Sequence, residues 1–359
     1  MSHAFRDPAR RRGVTRRRFL HSTSAGVTAV ALAGWPRRAV GADRYQGLST
    51  DKYLGHVQRL AQVEDTKVFT EGPAVDRAGN VFFTNVHASK ILRYDPRTKR
   101  LSIFREETQE TNGLAFDSQG RLLACEGKAG RVTRTDMKTG RIEVLADKYR
   151  GFPFAAPNDL CLDDKGRIYF TSRPGVSDPA KGNVNAVYRI DADRSPDEAG
   201  RYPVEQLLRW PDIHMPNGIA TSPDNKIMYV IESHPDAKHH RDVRAFDLRD
   251  GKLSNERVLI DFYPGRSGDG MRIDAEGNLY IAAGLHKTRG TSETLDTRPG
   301  IHVVSPEGKL LAFRETPEDT ITNCAFGGED LRTLYVTCGT LLLSLRTEIP
   351  GKASYRPDA

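Results

Sequence analysis

Glu71, Asn112, Asn158, Asn217 and Asp269 each stand 8 positions ahead of a turn residue, namely Gly79, Gly120, Gly166, Asn225 and Gly277. Asn323, ahead of the Glu329-Asp330 turn, is a looser sixth case. Carboxylates and carboxamides are hard oxygen donors. Gathered in one space without a cation, the carboxylates would repel and lose hydration. A Ca2+-type ion, which takes oxygen ligands at about 2.3–2.6 Å, resolves that conflict. No Cys or His shares the repeated position, which argues against a dedicated zinc site. A single Asn-Gly or Asp-Gly pair is ordinarily a plain turn. Five polar residues at one offset are not independent accidents.

The elements that position these residues form a repeat. After each turn comes a short apolar run, as in Val81-Phe82-Phe83, Ile168-Tyr169-Phe170, Met228-Tyr229-Val230 and Leu279-Tyr280-Ile281. The turns are D-x-x-G in Asp76 to Gly79, Asp117 to Gly120, Asp163 to Gly166 and Asp274 to Gly277, with Ser222-Pro223-Asp224-Asn225 as a variant. Asp caps its own backbone there and Gly tolerates positive φ. The repeated polar residues recur at intervals of 41 to 59 residues, the mark of a repeat architecture. Six such units match the blades of an all-β, six-bladed β-propeller. The sixth lacks an obvious fourth strand after Leu345, and the segment His56 to Val63 is expected to supply it, closing the ring. The first strand of each blade then lines the central channel, so that the repeated residues converge on the axis at one mouth.

The second strand of each blade returns to the same face. Asn85 with His87, Glu126, Ser172-Arg173, Glu232 with His234, and Gly284 with His286 fall at its end, and His214 arrives three residues before Asn217. Together they would make a polar pocket wall, in which Arg173 suits a substrate carboxylate or hydroxyls.

The first 42 residues stand outside this fold. Arg10-Arg11-Arg12 and Thr15-Arg16-Arg17-Arg18-Phe19-Leu20 precede a weakly apolar stretch from Ala25 to Gly34 and then Val40-Gly41-Ala42. That order reads as a twin-arginine export signal over residues 1–42, with a propeller domain over 43–359 and a periplasmic or secreted destination. The twin-arginine export machinery is the partner so implied. The apolar stretch is shorter than the about 20 residues that a permanent span needs. The segment carries nine Arg and one Asp, so the formal +7 of the chain falls to −1 for residues 43–359. The basicity is therefore no sign of nucleic-acid binding. Cys125, Cys161, Cys324 and Cys338 show neither CxxC nor zinc spacing. Cys324 and Cys338 are symmetric about a turn near residue 331, which leaves a disulfide across that hairpin open.

At Glu71-Gly72-Pro73, Thr111-Asn112-Gly113-Leu114, Pro157-Asn158-Asp159-Leu160, Pro216-Asn217-Gly218-Ile219 and Gly268-Asp269-Gly270-Met271, the chain resembles a known family. It is that of gluconolactonase, the senescence marker protein regucalcin and luciferin-regenerating enzyme, six-bladed propeller lactonases. The resemblance implies that Glu71, Asn217 and Asp269 ligate one divalent cation, with Asn158 there directly or through water and also facing substrate. Ca2+ is the first candidate, with Zn2+, Mn2+ or Mg2+ as alternatives. It further implies that Asp269 is the general base and that Asn112 and Glu126 are substrate-side residues. Phe170-Thr171-Ser172-Arg173-Pro174, Gly127 after Cys125-Glu126, Asn85 and Glu232 depart from the usual bacterial pattern, so the pocket wall differs while the metal set is intact. The expected activity is metal-dependent hydrolysis of a small-molecule, sugar-type lactone, with one of His87, His214, His234 or His286 as a proton donor. Two other readings compete: a ligand- or protein-binding propeller with a structural cation, and a related esterase with a different substrate. No G-x-S-x-G elbow supports a covalent serine route.

Overall fold

The computed structural model describes residues 43–173 and 184–352, and the expected export signal lies outside them. Each repeat folds as a four-stranded antiparallel meander. The innermost strands, in blade order, are Thr70–Val75, Thr111–Phe116, Pro157–Leu162, Pro216–Thr221, Gly268–Ile273 and Ile321–Gly327. Each touches the next and the last touches the first, so the six sheets form a closed propeller. Gln58–Gln62 pairs antiparallel with Leu341–Arg346 as the outer strand of blade six. The expected N-terminal closure is therefore present, and it ties the two ends of the described chain into one sheet. Among the described residues no helix is long and apolar enough to cross a membrane.

The apolar runs are continuous because both faces of every sheet are covered. Val81 and Phe83 enter the cluster shared with blade six, whereas Phe82 between them enters the cluster shared with blade two. This is the two-residue period of a strand applied to a sheet buried on both sides. The core is accordingly six inter-blade layers rather than one centre. The D-x-x-G turns form as expected: Asp76 accepts the Asn80 amide at 2.8 Å, and Gly79 sits at φ +83°.

All four cysteines are free. Register puts Cys324 opposite Val336 and Cys338 opposite Ile321, so the two thiols are not cross-strand partners. Burial pushes the Cys324 thiol up to about 12.

The innermost strands share a register break at the polar position. Pairing skips between Glu71 and Ala74, Thr111 and Leu114, Pro157 and Leu160, Pro216 and Ile219, and Gly268 and Met271. A bulge re-aims the side chains it carries. The glycine that follows Glu71, Asn112, Asn217 and Asp269 has a second cause, close inter-blade approach. A Cβ on Gly113 would lie 2.6 Å from the Asn158 carbonyl oxygen, and one on Gly218 would lie 2.6 Å from that of Asp269. Gly218→Ala is therefore expected to lower folding stability by about 1–3 kcal/mol through overpacking, read by chemical denaturation.

Candidate active site

The bulged positions open on one cavity of about 630 Å3, lined by Glu71, Asn112, Asn158, Arg173, Asn217 and Asp269 among others. Asp269 is held on both oxygens. Asn217 Nδ2 donates to its Oδ1 at 2.6 Å, and Arg266 Nη2 donates to its Oδ2. Arg266 is itself fixed by the carbonyl of Ile321 at 2.9 Å. Glu71 is almost fully buried and, among the described residues, accepts only the Gly72 amide at 3.0 Å and the Asn323 amide at 3.5 Å. Burial, then the nearby Asp269 and Asp159 carboxylates, push its proton affinity well above the ordinary carboxylate range. Below this layer, Asp159 Oδ2 accepts from Asn323 at 3.2 Å and Arg272 at 3.5 Å. Asn323 thus reaches the axis as a donor beneath the cavity.

The donor set fits a divalent cation. Glu71 and Asp269 offer carboxylate oxygens, Asn158 and Asn217 offer amide oxygens, and Asn112 Oδ1 is buried with no hydrogen-bond partner among the described residues. Two carboxylates with amides suit a hard cation better than a soft one. Among the described residues no three His, Cys, Asp or Glu side chains cluster as in a metal site, so such an ion would depend on the amides.

The residues expected along the wall divide. Arg173 lines the cavity, and burial holds its guanidinium below the usual arginine range, against the pull of Asp269 and Glu71. Glu126 is buried away from the lining, bound to Arg105 and Arg131 at 2.6 Å each and to Thr133 at 3.0 Å. Asn85, Ser172 and Glu232 prove to be backbone clamps. Asn85 Oδ1 accepts the Phe69 amide at 3.0 Å, Ser172 Oγ accepts that of Ala156 at 3.1 Å, and Glu232 accepts those of His214 and Met215 at 2.6 Å each. Phe69, Ala156 and Met215 each lie two residues ahead of a cavity residue. The clamps therefore fix the entry of the chain into the bulge.

None of the four histidines lines the cavity. His87 is exposed and stacks on Phe69, and His286 Nε2 bonds to the Thr316 carbonyl at 2.8 Å. His214 and His234 pack against His239, with ring centroids 4.2 and 4.0 Å away. Burial and His239 push the His234 imidazole down to about 4. A neutral imidazole of that kind is a poor acid near neutral pH. Arg266, Asp159 and Arg272 were not marked by the repeat offset. The signal for Asp159 was its place beside Asn158, and for Arg266 its place three residues before Asp269.

Residues 69–340 match the family described as SMP-30/Gluconolactonase/LRE-like region. The chain is 30% identical to a gluconolactonase of Zymomonas mobilis over 58% of its length and 55% of the relative's. It is 32% identical to regucalcin of Sus scrofa over 50% of its length and 54% of the relative's. It thus spans about half the length of these two curated relatives. A solved gluconolactonase structure from Xanthomonas campestris superimposes with a TM-score of 0.67 at 27% identity, covering 82% of this chain and 91% of the other. A luciferin-regenerating enzyme shares the fold with a TM-score of 0.64 at 21% identity, covering 85% of this chain and 100% of the other.

Asn85→Ala leaves the Phe69 amide and the Lys67 carbonyl without their partner, bonds of 3.0 and 3.1 Å. A loss of about 1–3 kcal/mol is expected in denaturant unfolding, the cost of a stranded buried polar group.

Proposed function

The chain belongs to the SMP-30/gluconolactonase/LRE-like family, and on that footing we propose that it is a metal-dependent hydrolase of sugar-type lactones. The observation that carries this reading is the meeting of Glu71, Asn158, Asn217 and Asp269, from four blades, on one cavity. Those four side chains would hold a divalent cation, with Ca2+ first by donor chemistry and Zn2+, Mn2+ or Mg2+ as alternatives. When bound, such an ion polarises the lactone carbonyl and stabilises the oxyanion as a Lewis acid.

The remaining roles fall to the chain itself. Asp269, oriented by Asn217 and Arg266, takes the proton of the water that attacks the carbonyl carbon. The ring C–O bond then breaks, and the proton taken by Asp269 passes through water to the leaving alkoxide, since no histidine among the described residues lines the cavity. Asn112, Asn158 and Arg173 face the space that the sugar would fill and have polar atoms to offer its hydroxyls. Glu126, committed to two arginines, acts at most through the strands that it ties together. Export through the twin-arginine route and action in the periplasm complete the proposal. N-terminal sequencing of the exported form should begin at Asp43, and retention of residues 1–42 would reject that part.

The direct test is metal content by elemental analysis together with a pH-indicator screen of sugar lactones. Asp269→Asn and Glu71→Gln are each expected to lower kcat/KM by at least about 100-fold. Added Ca2+ at about 100 times its Kd should stabilise the wild type by about 2.7 kcal/mol and Glu71→Gln far less. A folded protein that opens no lactone with any of the four cations, yet is stabilised by Ca2+, would favour a binding propeller with a structural ion.

A further inference from the structure

We propose that the cavity takes a lactone bearing a second, anionic group, carboxylate or phosphate, and that Arg173 is the residue that receives it. The inference deepens the lactone-hydrolase reading and rests on it for the identity of the reacting end.

Arg173 stands where Ser172 ends its strand, with its backbone amide bonded to Ala156 at 2.8 Å. Its side chain lines the same cavity as Asp269, and its Nε is buried with no hydrogen-bond partner among the described residues. Buried arginine donors ordinarily find an acceptor, and a guanidinium is built for the paired oxygens of a carboxylate or phosphate. The carboxylates nearby are spoken for. Asp269 is bound by Arg266, and Glu232 by two backbone amides. Glu71 is bonded to Gly72 and Asn323 rather than to Arg173.

The charge count points the same way. Among the described residues that line the cavity, Glu71 and Asp269 are equalled in number by Arg173 and Arg266. Lys128 lies 3.9 Å from Glu110, and Arg289 is matched in charge by Glu293. Any cation held by Glu71 and Asp269 would therefore leave the cavity with an excess of positive charge. An anionic substrate relieves that excess, and a neutral one does not. The attacked carbonyl belongs beside Asp269, so the anionic group belongs at the far end of the sugar chain, opposite the lactone.

The experiment compares three lactones of equal ring size: a neutral aldonolactone, its analogue with a terminal carboxylate, and its analogue with a terminal phosphate. Binding of the ring-opened dicarboxylate is followed separately by calorimetry, so that one readout is independent of turnover. The wild type is expected to prefer an anionic lactone by about tenfold or more in kcat/KM, through KM. Arg173→Met should bring that selectivity ratio toward one and weaken dicarboxylate binding by a similar factor, with Arg173→Lys falling between. Arg173 donates no side-chain hydrogen bond within the described fold, and Arg173→Gln provides a second variant should Arg173→Met be unstable. Preference for phosphate over carboxylate, or the reverse, assigns the anion and supports the subsite. Turnover of all three lactones at similar kcat/KM, or dicarboxylate binding unchanged in Arg173→Met, overturns the subsite and leaves the hydrolase reading standing. Tight, Arg173-dependent dicarboxylate binding without turnover of any lactone retains the subsite and removes the hydrolase.

Discussion

The structure depends on the close approach of its innermost strands, where one blade's backbone lies against the next with no room for a side chain between them. Gly72 faces the Asn112 carbonyl, Gly113 that of Asn158 and Gly218 that of Asp269, each closer than any Cβ tolerates. The bulge beside each glycine is the way out. It turns the preceding polar side chain off the blade interface and toward the axis. Hydroxyl groups secure the contact: Thr84 donates to the Asn112 carbonyl at 3.0 Å and Thr171 to that of Asn217 at 2.8 Å. Blade three breaks the glycine pattern with Asp159. Its Oδ1 accepts its neighbour Leu160's amide at 2.8 Å, and its Oδ2 turns inward to Asn323 and Arg272. The structural reason for Asn-Gly and the reason for a converging polar cluster are thus one geometry.

Crowding polar groups on an axis has an electrostatic cost. Two like charges about 4 Å apart repel by roughly 4 kcal/mol at an effective dielectric near 20. The chain meets most of that with its own cations, in two layers. Asp159 has Arg272 below, and Asp269 has Arg266 above. Arg266 cannot drift, because it is also held by the Ile321 carbonyl of blade six. Asp269 is in this way presented in a fixed orientation by groups from blades four and five. Behind it, Glu232 pins the turn that delivers Asn217.

The fold was legible because a propeller writes its repeat directly into the chain. Apolar triplets such as Val81-Phe82-Phe83 serve two inter-blade layers at once, which no half-exposed strand would need. The closing strand Gln58–Gln62 was legible by subtraction, since blade six had one strand too few. The wall was read less well, for a physical reason. Residues at the end of the second strand sit beside the cavity in projection, yet Asn85, Ser172 and Glu232 spend their polar atoms on the backbone before the bulge. Sequence offset gives a residue's height in the blade, but it does not say whether the side chain points to the cavity or back to the chain. Glu126 shows the same limit, because Arg105 comes from the neighbouring blade's outer strand and no local pattern links the two. The histidines failed in another way: His214 and His234 pack with each other and with His239, ring centroids 4.0 to 6.4 Å apart, rather than lining the cavity.

How the fold treats its other buried charges shows what is unusual about Glu71. Asp191 has Arg189 at 2.5 Å, Asp163 has Arg167 at 2.7 Å, and Glu126 has two arginines. Where oxygens gather without a carboxylate, the chain inserts its own cation: Lys352 Nζ donates to Thr221 Oγ1 at 2.7 Å, Asn225 Oδ1 at 2.9 Å and the Ser222 carbonyl at 3.0 Å. Glu71 receives one backbone amide and a long contact from an amide, with no arginine or lysine within ion-pair reach among the described residues. Its raised proton affinity follows from burial and then from the Asp269 carboxylate, with no cation beside it to offset them. Glu71 differs from Asp191, Asp163, Glu126 and Asp269 in that no arginine or lysine of the described residues is paired with it. A divalent cation satisfies Glu71 and Asp269 together, whereas a proton would satisfy only one of them.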